Sequence, residues 1–180
     1  MVMDPRLSEW ASYYVVVGSS GAALIGLQFV VITLIAALRR RTAADTLGAF
    51  GTPTVVLFAG ALIVSLVMSA PWQSLAAVSI ALVLCGLGGL VYGAVVVLRA
   101  RKQSGYEPVW EDWLWFAILP CGACAALLVG ALFLRASTVS ALYVIGAAAL
   151  ALLLIGIHNA WDTITHLVVS GSQDEEQETE

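Results

Sequence analysis

Five stretches of this chain, residues 10–38, 52–70, 74–98, 110–134 and 138–169, are nearly free of charge and long enough to cross a bilayer. A spanning helix needs about 20 apolar residues. Lipid offers the backbone no hydrogen bonds, so each stretch must satisfy its own N–H and C=O groups as a helix. Composition agrees, with 61% of the 180 residues hydrophobic and 11% charged, against about 25% charged in soluble domains. The sequence therefore predicts an all-α integral membrane bundle of five transmembrane helices. Residues 1–170 form its single domain, and no soluble catalytic module fits beside it.

The first stretch reads as a retained span. It is too long for the apolar region of a secretory signal and is closed by Arg39, Arg40 and Arg41. Five of the twelve acids lie in the last seven residues, "DEEQETE", so residues 171–180 read as an acidic disordered tail. No basic cluster with interleaved aromatics points to nucleic acid; the partners expected are the lipid bilayer and other copies of the chain. Orientation follows from the basic residues. Arg39, Arg40, Arg41, Arg99, Arg101 and Lys102 fall on one side, Arg6 and Arg135 on the other. The richer side is cytoplasmic, which places the N-terminus outside and the C-terminus in the cytoplasm.

Small residues recur at helical spacing: Gly18, Ala22 and Gly26; Gly89 and Gly93; Gly122, Ala126 and Gly130. Such stripes let helix backbones approach closely, within the bundle or between subunits. Tyr13, Tyr14, Trp72 and Trp110 suit interfacial aromatic belts. Gln28, in mid-span, suits interhelical hydrogen bonding.

The polar chemistry concentrates in "GIHNAWDTITH", residues 156–166. At about 100° per residue, His158, Asp162, His166, Asn159, Thr163 and Thr165 share an arc of roughly 160°. Glu111 and Asp112 open the fourth span at the same membrane depth. Three readings compete. The helix end could simply be solvated, with Trp161 as an interfacial anchor. The cluster of His158, Asp162, His166, Asn159, Thr163, Glu111 and Asp112 could form an ion or proton site, since ionisable groups on the bundle side of a membrane helix are costly and usually functional. Or His158, Asp162 and His166 could hold a divalent metal, with Glu111 or Asp112 completing the ligand set.

"PCGAC", residues 120–124, invites a thiol-redox reading. Cys121 lies about 12 Å past Trp113 at 1.5 Å per residue, and a thiol in apolar surroundings is inert. Cys121 and Cys124 read instead as small packing residues beside a kink at Pro120, and Cys85 reads likewise. The chain contains no nucleotide loop, serine-nucleophile elbow or zinc-protease motif, so it leans away from an enzyme.

The stretches "TPTVVLF…MSAPW", "YEPVWEDWLWFAILP" and "GIHNAWDTIT" resemble those of small multi-pass bacterial membrane proteins described as uncharacterised. The resemblance covers roughly Thr52 to Thr165. It implies a helical bundle in the bacterial inner membrane and carries no activity or functional residue. The leading expectation is a small channel or transporter component for ions or protons, worked by the polar cluster. The alternatives are a non-catalytic accessory or scaffold protein and a membrane metal-binding or redox protein.

Overall fold

A computed structural model describes residues 5–38, 52–100 and 110–178; the side chains of residues 35–38, 100, 112 and 166–178 lie outside that description. The described residues are helical apart from short turns. A short helix α1 (Pro5–Glu9) leads into α2 (Ala11–Leu38). Then come α3 (Thr52–Ser69), α4 (Leu75–Ala100), α5 (Trp110–Trp113), a π-helical turn (Leu114–Ile118), α6 (Leu119–Phe133) and α7 (Thr138–Glu178). Five helices among them are long and apolar enough to cross a membrane. Their limits fall close to those the hydropathy pattern predicts. The backbone of α7 carries on through residues 171–178, the stretch that composition assigns to a disordered tail.

Local signals set these boundaries. Pro53 stands in the first turn of α3, where its missing N–H is no loss. Ser74 caps α4, its Oγ accepting from the N–H of Ala77 at 3.2 Å.

The chain folds back and forth, and α7 becomes the central helix. It packs on α3 along one side and on α6 along the other. Helix α4 lies against α6 and closes more sparsely on α3, so α3, α7, α6 and α4 form a ring. Helix α2 lies outside the ring, on α3. Outward faces of α2 and α4 are apolar, with Val16, Phe29, Leu84 and Val91 all exposed. In water such faces would drive aggregation; with lipid as solvent they need no cover.

Hydrocarbon gives little drive for apolar helices to associate, so close contact must come from small residues and hydrogen bonds. A Cβ on Gly18 would come within 2.8 Å of the Ser65 side chain, joining α2 to α3. One on Gly130 would meet Ile145 at 2.9 Å, joining α6 to α7. Gly89 and Gly93 of α4 receive the thiols of Cys124 and Cys121, and Ala126 packs against the core. Ser79 Oγ donates across the same interface to the Ala131 carbonyl at 2.7 Å.

Three of the predicted packing residues face outward instead. Ala22 is exposed, and a Cβ on Gly26 or Gly122 would meet nothing within 4 Å. The reason is helical: a four-residue step advances about 40° beyond one turn, so a stripe starting at Gly18 rotates off α3 by Gly26. Contact continues instead through Gly21, against the Phe58 carbonyl. Gly146 and Gly156 of α7, unflagged by any stripe, face the rings of Trp10 and Phe58. Tyr14 departs from the expected aromatic belt, being buried in the core beside Trp10 and Tyr13.

Candidate functional site

The end where α2 and α4 finish and α3 and α5 begin is the polar end of the bundle. Pro120 organises it. Its ring nitrogen carries no N–H, so a carbonyl one turn earlier loses its donor. The chain responds with the π-helical turn, in which the N–H of Leu119 reaches back to the Leu114 carbonyl. Trp115 is then stranded: its α-helical donor, Leu119, is engaged, and its π-helical donor would be Pro120. Asn159 of α7 fills the gap, donating from Nδ2 to the Trp115 carbonyl at 3.3 Å. The expected kink at Pro120 thus takes the form of a π turn cross-linked to α7.

This bond fixes the amide. A carbonyl can only accept, so Nδ2 faces Trp115 and Oδ1 faces away. Asn159 is 1% exposed, and its Oδ1 is buried with no hydrogen-bond partner among the described residues. Thr163, also buried, spends its hydroxyl on its own helix, donating to the Asn159 carbonyl at 2.7 Å. Both residues prolong the core stripe of Ile145, Ala148, Leu152 and Ile155.

The rest of the polar arc lies on the flank of that stripe. His158 stacks on the Trp115 ring with centroids 3.5 Å apart and planes at 30°. Its Nδ1 is buried and without a partner among the described residues. Asp162, Thr165 and Glu111 are exposed, and Thr165 bonds the Trp161 carbonyl of its own helix. The side chains of His166 and Asp112 lie outside the described residues. Among the described residues, no three His, Cys, Asp or Glu side chains come together as a metal site. The fourth span therefore meets His158 and Asn159 through Trp115, by ring and carbonyl. Sequence reasoning missed Trp115. The signal was present in Pro120, which orphans a carbonyl four or five residues upstream and calls for a side-chain donor.

Beside this polar contact lies a cleft of about 340 Å³, bounded by α3 and α4 and floored by α6 and α7. Ile63 and Leu84 line it and are largely exposed, so it opens sideways between α3 and α4. Its walls are apolar, and Asn159 stands at its polar end. Cys85 and Cys124 also line it. Gln28, the mid-span polar residue of α2, is buried elsewhere.

Fold and site together describe a multi-pass α-helical membrane protein with a lateral apolar cleft and one buried amide at its polar end. No family model, curated protein or solved structure matches the chain.

Proposed function

We propose that this protein resides in the bacterial inner membrane, N-terminus outside and C-terminus in the cytoplasm, and holds a small membrane-dissolved molecule in its lateral cleft. The cleft is the observation that carries the reading. At about 340 Å³ it falls in the roughly 300–1,000 Å³ range of ligand pockets and shares their apolar walls with few polar groups. Its mouth faces sideways, where a lipophilic molecule arrives from the bilayer. Binding here makes the chain an accessory protein for such a molecule. Obstructing the cleft tests this. Gly88 is an exposed lining residue at the rim, and a Cβ there would meet nothing within 4 Å, so Gly88→Leu adds bulk at the mouth of the cleft without a clash in the backbone. Native mass spectrometry of protein drawn from its own membranes should show a lipophilic adduct in the wild type that is lost in Gly88→Leu. An adduct retained by the variant would defeat the reading.

A second reading keeps the channel or transporter component for ions or protons. It is favoured by His158, whose buried Nδ1 has no partner among the described residues while Asp162, four residues on, is exposed. Proton flux into liposomes, wild type against His158→Gln, tests it; equal flux in the two removes it. Self-association rests on Ala22, Gly26 and Gly122, small residues on outward faces. Chemical cross-linking in native membranes should yield a homo-oligomer.

A further inference from the structure

We infer that the cleft holds one straight acyl chain of a bilayer phospholipid, extended parallel to the helix axes, with the rest of the lipid left in the membrane. This inference rests on the cleft-binding reading and names the occupant from the shape of the space.

The walls fix the length of that space. On α4 the lining runs from Leu84 to Val96 and on α3 from Pro53 to Val64, stretches of about 18 and 16 Å at 1.5 Å per residue. A short turn joins the two helices, so they run antiparallel. Pro53 and Val96 therefore lie at the polar end of the cleft, and Val64 and Leu84 at the other. The floor keeps pace, from Phe116 in the π turn to Leu127 in α6.

Length and volume together define a width. Three bonds of an extended chain cover about 3.3–3.6 Å, so a span of about 17 Å takes roughly fourteen carbons. A cavity of roughly 150 Å³ accepts the six carbons of benzene, so the cleft's 340 Å³ also takes roughly fourteen. The two counts agree for a single chain laid end to end. A second chain beside it would double the volume. Methyl branches add volume at fixed length and overpack the walls. A fused-ring body with as many atoms is shorter and wider, and leaves one end empty.

Depth identifies the source. The hydrocarbon core of a bilayer is about 30 Å thick, so the chains of one leaflet reach about 15 Å inward. The cleft starts where α3 starts and extends over a similar depth. Its mouth opens sideways between α3 and α4, so a chain enters while its head stays at the interface. Among the described residues no Asp, Glu, Lys, Arg or His lines the cleft, in keeping with a site that holds a chain and not a head.

The test uses a phosphatidylcholine whose palmitoyl chain carries a diazirine near either its carboxyl or its methyl end. The whole protein is held in nanodiscs of dioleoyl phosphatidylcholine and irradiated, and the labelled residues are read by mass spectrometry. Val16 and Phe29, exposed on the outward face of α2, report ordinary boundary lipid. The carboxyl-end probe should label the cleft near Pro53 and Val96, and the methyl-end probe near Val64 and Leu84. Unlabelled dipalmitoyl phosphatidylcholine should displace the cleft label about tenfold more effectively than diphytanoyl phosphatidylcholine, a preference of about 1.4 kcal/mol. The label on α2 should respond equally to both. Equal displacement at the cleft, or a label without order along it, overturns the acyl-chain inference. So does an unlabelled cleft; if the native adduct is then still lost in Gly88→Leu, the cleft reading stands and only its occupant was misnamed. An adduct retained in Gly88→Leu overturns the cleft reading itself. The lipid comparison is made on the wild type, so a misfolded variant would not shield the inference.

Discussion

The contact between Asn159 and the Trp115 carbonyl makes a quantitative prediction. Replacing Asn159 with leucine does two things. It strips the Trp115 carbonyl of its donor, at a cost of about 1–3 kcal/mol for a buried unsatisfied group. It also removes the unpaired Oδ1, which relieves a penalty of similar size. These terms oppose each other, so the single variant measures neither. Pro120→Ala separates them. Alanine restores the missing N–H, and the helix can then satisfy the Trp115 carbonyl from its own backbone. In that background Asn159→Leu still removes Oδ1 but strands no carbonyl. The relief is common to both backgrounds and cancels in a double-mutant cycle. What remains is the interhelical bond, whose measured counterparts in a membrane protein average about 0.6 and reach about 1.7 kcal/mol. Asn159→Leu should therefore be more destabilising with Pro120 present than in the Pro120→Ala background, by about 0.6–1.7 kcal/mol on that scale. Reversible unfolding of the four proteins in mixed micelles by a denaturing detergent gives the coupling directly. Independent sites add within about 0.3–0.5 kcal/mol. A coupling inside that margin, or of opposite sign, would refute the account of the π turn.

Three further outcomes are expected. Gly93→Leu should destabilise by about 1–3 kcal/mol through overpacking, since even a Cβ there would lie 2.6 Å from Cys121 Sγ; Cys121→Ala should recover part of the loss in the same unfolding assay, and no recovery would mean the thiol is not the obstacle. Gly26→Leu and Gly122→Leu point into open space and should change the unfolding free energy of the monomer by less than about 0.5 kcal/mol. Reporter fusions should read the N-terminus as external and residues 101–109 as cytoplasmic; the reverse pattern would invert the proposed orientation.

Much of this protein was decided in the sequence. Five helices and their limits follow from apolar length alone, because lipid excludes any other way to satisfy the backbone. The thiols of "PCGAC" were legible as packing groups for the same reason: their depth in the span left them no aqueous chemistry. The concentration of polar residues near His158 was equally plain. What the sequence could not supply was the direction each polar residue faces. A periodic arc says which residues share a side, and only the neighbours say which part of that side is inward. Here the line between core and surface runs through the arc, leaving Asn159 and Thr163 inside and Asp162 outside. The partner of the cluster was hidden for a related reason. Carboxylates at Glu111 and Asp112 announce themselves by charge, whereas the Trp115 carbonyl is a backbone group identical in kind to every other. It becomes special only when a proline five residues later removes its donor and a second helix lies close enough to replace it. The lateral cleft belongs wholly to tertiary structure, since it is the space left where α3 and α4 pack more on α7 and α6 than on each other.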